Sequence, residues 1–380
     1  MKTLTNTLKT LITEHSLDIL KQEQRLKAML ADLLPHDKQM RFLLELSLRA
    51  QIPQKLIAQQ NETRVGWEAQ IKSLKHYFKE EYFLEDNAVK SVFDCWVEVL
   101  PSIELKYEII STIISNIPTV SIPAGTFIMG SPTTEIDRKE DETQHEVTLS
   151  AFRMSCFAIT NSDYADFLNA IGIGSNGRQI DGEDPEFFIF PSSGSSDWGL
   201  HYTNNRWVPA YSYDYHPVVG VTWYGASAFA TYVGGSLPTE AQWEYACRAG
   251  TTTPFNTGGY LTSEQANYDW RFPYNGAIEN DSYYYGKTKH VEEYEPNAFG
   301  LYHMHGNVCE WCSDQYDTYP TTPQTNPTGA PVVDETRLNV VMRGGSWRYK
   351  GKVCRSGFRG FGIPENYRHF DIGFRIVFAP

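Results

Sequence analysis

Apolar side chains recur at helical intervals through the first 115 residues. Leu4, Leu8, Leu11 and Ile12 fall at i, i+4, i+7 and i+8, which places them on one face of a 3.6-residue turn. Leu43, Leu44, Leu46 and Leu48 form a second cluster. Further helical stretches are read near 67–78 and 87–100, the latter carrying Val89, Val92, Phe93, Trp96 and Val97. Pro35, Pro53 and Pro101 mark boundaries, because proline lacks the N–H that an internal turn needs. The pattern predicts an α-helical bundle over 1–115 with an assembly or adaptor role, through self-association or a helical partner. Its histidines, His15, His36 and His76, share no helix face and so form no metal pair there.

Near Ile117 the period changes. Residues 121–132 (SIPAGTFIMGSP) alternate into a glycine turn and read as strand then loop, and 145–152 (HEVTLSAF) alternate as a strand. Thr160-Asn161-Ser162-Asp163 opens a helix continued by Tyr164, Phe167, Leu168 and Ile171. Residues 172–215, rich in Gly, Ser, Asn and Asp, read as surface loop. Residues 216–235 read as a strand running into a short helix. Residues 237–250 (LPTEAQWEYACRAG) read as a second helix with a Thr239/Gln242 capping box, a buried face of Trp243, Ala246 and Cys247, and a stop at Gly250. Residues 260–295 are aromatic and irregular. RGGSW (343–347) and IGFRIV (372–377) read as strand-like ends that close a core. So much chain without a period predicts, for 117–380, a fold of loops around few strands.

Between those two ends lies a segment of Gly, Arg, Tyr and Phe with no period of 2 or 3.6. Apolar groups without periodicity make no continuous buried face, and this mixture is the one that binding surfaces display. The candidate ligand contacts over 348–371 are Arg348, Tyr349, Lys350, Lys352, Val353, Gly357, Phe358, Gly360, Phe361, Gly362, Ile363, Tyr367, His369, Phe370 and Asp371. Their expected partner is a protein or other macromolecule. Two alternatives stay open: a fixed aromatic loop packed on its own domain, and a fixed surface for peptide or glycan.

Charge narrows the partners. With 46 acidic against 33 basic residues the net charge is −13, which disfavours nucleic acid. The exception is a basic crowd of Arg343, Arg348, Lys350, Lys352, Arg355 and Arg359. No apolar run approaches the ~20 residues that span a bilayer, so no membrane contact is expected. The N-terminus has no continuous apolar stretch like that of a secretory signal. The expectation is a cytoplasmic protein with reduced thiols, export by another route left open. Cys309-x-x-Cys312 has a redox or half-zinc spacing, but no second pair of this kind supports it. Small buried core residues are the simpler reading.

Six motifs in order, IPAGTFIMGS, HPVVGVTWYGASAFA, LPTEAQWEYACRAG, FGLYHMHGNVCEW, RGGSW and IGFRIV, resemble the formylglycine-generating-enzyme (sulfatase-modifying factor) domain family over about 117–380. The resemblance implies an α+β, C-type-lectin-like, loop-rich fold. Enzymes of this family use a copper-binding cysteine pair soon after the GGS motif. Here Tyr349 stands where one cysteine would fall, and Arg348 to Val353 contain none. The expectation is therefore a chain that is not an enzyme and requires no cofactor. The frame RGGSW, CRS and IGFR with changeable residues between resembles the variable proteins of diversity-generating retroelements. Their adenine-randomising mechanism cannot produce lysine, so Lys350 and Lys352 would be template-encoded. The function expected is ligand binding by a diversified C-terminal surface, with a formylglycine-generating or related oxidase acting on a sulfatase-type peptide as the alternative.

The resemblance also implies structural calcium. One set would be Asn267, the Tyr268 carbonyl and Asp281; another would be the residue at His303, the carbonyls of Gly306 and Val308, and Glu310. His303 stands where an amide or carboxylate is expected. Asn307 and Glu310 holding the loop through backbone groups is the competing reading.

Overall fold

The computed structural model describes residues 30, 38–50, 52–53, 74–80, 84–85, 88–90, 92–93, 96, 117–178, 188–189, 199–276, 285–329, 339–364 and 369–380. The chain divides into two compact units, Met1–Thr112 and Ile113–Pro380. In the first, helix α1 (Lys38–Arg49) buries Leu43, Leu44, Leu46 and Leu48. The Trp96 indole donates to Ser47 Oγ at 2.7 Å, and Phe78 meets Phe93 edge-on at 6.2 Å. The expected helix at 4–12 lies outside the described residues. Among those described, no helix is long and apolar enough to cross a membrane.

The second unit is built from short strands tied by long connections. Strands β1 (Thr119–Ile122), β4 (Phe152–Ser155) and β12 (Val377–Phe378) form one sheet, in which Val120 and Val377 both face Met154 in register. The beginning and end of this unit are thereby fastened to the same strand. Strands β2 (Gly125–Met129), β3 (His145–Leu149) and β8 (Gln324–Thr325) form a second sheet. The third sheet has the order β10 (Gly360–Gly362), β9 (Val340–Arg343), β7 (Cys309–Gln315), β11 (Ile372–Gly373).

Both expected capping boxes are present. Thr160 caps α2 (Asn161–Ala170) with Asp163, and Thr239 caps α4 (Glu240–Arg248) with Gln242. Each cap satisfies an N–H that the first turn leaves without a partner. Helix α3 (Trp223–Tyr232) starts at Thr222. Trp243, Ala246 and Cys247 pack with Ile122, Val147, Met154, Cys312 and Val341 in the main core. Much of the aromatic content fills a second region, where Tyr164, Phe167, Phe229 and Phe374 meet at centroid distances of 5.3–5.8 Å.

Three expectations need correction. The alternation through 145–152 belongs to two strands, β3 and β4, because the chain turns at Ser150–Ala151. The stretch 172–215 contains a hairpin, β5 (Leu200–Thr203) and β6 (Arg206–Pro209), whose Asn204-Asn205 turn takes positive φ at both residues. RGGSW is strand only at Arg343. Gly344 and Gly345 then turn the chain at φ +93° and +68°, and a Cβ on Gly345 would lie 2.6 Å from Cys354 Sγ.

Candidate ligand-binding surface

The basic crowd of the C-terminal segment is mostly interior. Arg343, Arg355, Arg359 and Arg375 are among the most deeply buried side chains of the domain, and each meets a glutamate. Arg355 donates to both oxygens of Glu142 at 2.7 and 2.8 Å. Arg359 holds Glu240 at 2.7 and 2.9 Å, and Arg375 holds Glu310 at 2.6 and 2.9 Å. Arg343 pairs with Glu244, which also accepts from Arg248 and the Gly130 N–H. Burial opposes the charge of Glu244, but the two guanidiniums outweigh it and hold the carboxyl below its ordinary value. These pairs fasten the C-terminal segment to three other parts of the domain: the loop at Glu142, helix α4 and strand β7.

Between the frame residues, side chains turn outward. Arg348 is exposed and donates to His369 Nδ1 at 3.2 Å. Lys350 is exposed and sits 4.3 Å from the Phe272 ring centroid, and Lys352 meets Asp137 at 3.2 Å. Tyr349 and Val353 are half-buried. The Tyr349 carbonyl accepts from the Asp269 N–H at 2.8 Å, and the Gly351 N–H donates to Phe272 O at 3.0 Å. Loop 269–272 is thereby bonded to loop 348–352. Its Arg271, paired with Asp269, and its Phe272, 44% exposed, belong to the same surface. Sequence reasoning missed these two; the only signal was an Arg-Phe pair inside an irregular aromatic stretch.

The remaining candidates do not share one face. Gly360–Gly362 is strand β10, at one edge of a four-stranded sheet, whereas His369 and Phe370 lead into β11 at the opposite edge. Three inter-strand spacings separate those edges, roughly 14 Å. At the β10 edge, Phe361 (48% exposed) meets Tyr316 at 4.7 Å, followed by Ile363 (50% exposed). Phe358 is half-buried under Lys139 Nζ at 4.1 Å, and Gly360 is half-buried. Phe370 packs on Ala158, Val219 and Val308. Gly357 and Gly362 are buried, so neither is displayed. Asp371 is corrected as well: it is 1% exposed, its carboxylate accepts from Ser346 Oγ at 2.8 Å, and its carbonyl accepts from the Cys309 N–H. It fixes the glycine turn to β7. Tyr367 lies outside the described residues.

The calcium sets divide. In the second, both Glu310 oxygens accept from Arg375, and Oε2 also accepts from the Trp243 indole. His303 is half-buried, and desolvation lowers its imidazole to about 3, with Nε2 3.0 Å from the His290 carbonyl. A cation does not fit there. Glu310 holds side chains, not backbone, and only Asn307 ties the loop, through the Lys289 N–H at 2.8 Å and the Asn267 carbonyl at 2.7 Å. In the first set, Asn267 Nδ2 faces two acceptors, Lys287 O and Asn307 Oδ1, which fixes the amide. Its Oδ1 is then buried without a donor. That oxygen is a type of ligand that a hard cation takes, but one oxygen does not make the 6–8 that calcium needs; Asp281 lies outside the described residues. No group of three or more His, Cys, Asp or Glu side chains suited to a metal occurs among the described residues.

The thiols are enclosed. Cys309 and Cys312 lie three apart on one strand, so they point to opposite faces, and burial pushes both far above the ordinary thiol range. Burial pushes Cys247 up to about 12 and raises Cys354 likewise. A copper ion takes thiolates, and residues 348–353 hold no cysteine to supply one.

The sulfatase-modifying factor enzyme 1-like domain matches residues 112–380. The formylglycine-generating enzyme of Mus musculus is 30% identical over 281 residues, covering 67% of this chain and 73% of the relative. That of Streptomyces coelicolor is 31% identical over 280 residues, covering 67% and 87%. Among solved structures, PvdO from Pseudomonas aeruginosa aligns with TM-score 0.53 and 27% identity over 69% of this chain and 94% of its own. Treponema denticola variable protein 1 aligns with TM-score 0.49 and 23% identity over 69% and 95%. The expectation that the chain is not an enzyme is overturned by the curated relatives, which are named for catalysis at about this identity over two thirds of the chain. With its mixed α+β, C-type-lectin-like fold, the chain belongs to the sulfatase-modifying factor enzyme 1-like domain family.

Proposed function

We propose that the chain binds a macromolecular ligand, a protein in the simplest case, through outward side chains of the C-terminal segment and the 269–272 loop. One observation carries the reading: Arg343, Arg355, Arg359 and Arg375 are buried and paired, while Arg348, Lys350, Lys352, Phe361 and Ile363 between them are exposed. Arg343, Arg355, Arg359 and Arg375 hold the backbone, which leaves Arg348, Tyr349 and His369 as positions that can vary, with Lys350 and Lys352 constant. That division suits a receptor whose surface is diversified on a constant frame. Sequencing the 3′ end of the gene across many cells tests it. Changes are expected at outward positions such as 348, 349, 353, 358, 361 and 369, with the four buried arginine codons intact. A uniform sequence would remove diversification.

Replacing Arg348, Lys350 and Phe272 together with alanine is expected to abolish capture of whatever protein the wild type retains. Exposed substitutions each move stability by only about 0.5 kcal/mol, so the melting temperature should stay within a few degrees. A collapse in melting temperature would mean that these side chains support the core.

A second reading comes from the curated relatives, which are named formylglycine-generating enzyme. It places a sulfatase-type peptide on the same surface as substrate. Incubating the full chain with a cysteine-containing peptide of that type, and measuring its mass, tests this directly: conversion of the thiol to an aldehyde would establish catalysis.

A further inference from the structure

A cavity of about 480 Å³ opens beside the N-terminus of α4, lined by His145, Glu240, Asp314, Tyr319, Gly329 and Arg359 among others. The buried glutamates of this domain, Glu142, Glu240, Glu244 and Glu310, each face an arginine. Asp314 does not. It is 5% exposed, and no cation pairs with it among the described residues. Its Oδ2 accepts from the Glu240 N–H at 2.8 Å and Ser313 Oγ at 3.1 Å, whereas Oδ1 accepts from no donor among the described residues. Gly329 passes directly over that carboxyl at φ +76°, and a Cβ there would lie 2.8 Å from Oδ1. A residue without a side chain stands where any other would cover the oxygen.

The rest of the wall suits an alkyl chain carrying a positive charge. The Tyr319 ring lies between His145, at 4.9 Å between centroids, and the Arg359 guanidinium, at 3.8 Å. His145 Nδ1 is 3.2 Å from the Thr143 carbonyl, so Nδ1 carries the hydrogen and Nε2 remains an acceptor. Asp314, Glu240 and Asp317 line the cavity with Arg359, and behind them Arg343 and Arg248 share Glu244, so four carboxylates stand against three guanidiniums. Burial, then the neighbouring Glu240, push the Asp314 carboxyl up to about 7.

We propose that this cavity binds a small primary ammonium group on an alkyl chain, with Asp314 Oδ1 accepting its hydrogen bond and the apolar lining of Met129, Ala241 and Pro320 against its carbons. The group could belong to a free amine or to a lysine side chain. Titration calorimetry of the full chain at pH 8 with n-butylammonium chloride, with n-butanol, and with Nα-acetyl-lysine N-methylamide separates these. Butylammonium should bind and butanol should not. Binding of the blocked lysine as well admits a side chain, and its failure alone restricts the site to free amines. Asp314→Asn keeps the shape and removes the charge, so it should weaken butylammonium on the order of tenfold or more. Gly329→Ala should do the same by covering the oxygen.

Stability supplies an independent readout. A carboxyl whose pKa is higher in the folded than in the unfolded chain penalises folding once pH passes the unfolded value. Asp314→Asn should therefore be at least as stable as wild type at pH 8, with the gap shrinking as pH falls from about 7 towards 4. No binding of butylammonium, equal binding of butanol, or undiminished binding by folded Asp314→Asn or Gly329→Ala overturns the proposal.

Discussion

Arg375→Met is expected to lower the stability of the domain by about 3–5 kcal/mol, the range for removing one partner of a buried ion pair. For a domain of this size that corresponds to a fall in melting temperature on the order of 10 °C. Glu310 would keep only the Trp243 indole as a donor, at 2.7 Å, inside the main core. Glu310→Gln should be milder. The Arg375 guanidinium also donates to the carbonyls of Ser155, Cys156 and Tyr302, so losing the carboxylate leaves it with acceptors. Thermal and urea denaturation of the two variants compare the losses. Equal losses would show that those carbonyls do not sustain the buried cation.

The same contrast explains what was legible in the sequence. The helix caps could be read because their signal is local: a Thr at the start and an Asp or Gln three residues on, as at Thr160 and Thr239. The buried face of α4 could be read from spacing alone. The arginines could not. Charge in a sequence reads as surface, and the carboxylate partners of Arg343, Arg355 and Arg359 lie 99–220 residues away, so no local pattern announces them. Asp371 was misread for the same reason, since its polarity serves the Ser346 turn and not solvent. The hairpin over 200–209 was hidden by its setting, although Asn204-Asn205 is a fair turn signal.

The candidate surface was half legible. Lack of periodicity marked 348–353 as outward; Arg348, Lys350 and Lys352 are exposed, Tyr349 and Val353 half-buried and Gly351 buried, because the segment follows a glycine turn and enters a 3-10 turn (Gly351–Cys354), not a strand. It could not show that the chain then returns beside β9 as β10 before crossing the sheet to β11, nor that a second loop joins the first. Both facts depend on hydrogen bonds between distant segments, such as Gly351 to Phe272 and Phe361 opposite Val341. A display surface here is therefore composite. Its shape is set by the buried pairs beneath it, which is why their energetics bear on binding.

Glu244→Gln tests that frame at its most connected point, and its expected loss is again about 3–5 kcal/mol. The order of severity should be the reverse of that at Arg375. Arg248, Arg343 and Arg359 surround Glu240 and Glu244, three guanidiniums on two carboxylates. Removing Arg343 leaves one cation for each carboxylate, Arg248 for Glu244 and Arg359 for Glu240. Removing the charge of Glu244 leaves three cations around one carboxylate. The amide of the variant can still accept from the Gly130 N–H, so the loss reports mainly the unbalanced charge. Adding Arg343→Met to Glu244→Gln should then recover part of the stability, although the Ser356 and Phe358 carbonyls lose a donor. A double-mutant cycle measures this. A double variant no more stable than Glu244→Gln alone would show that Arg343 acts through those two carbonyls, holding the turn before the displayed loop, and not through charge balance.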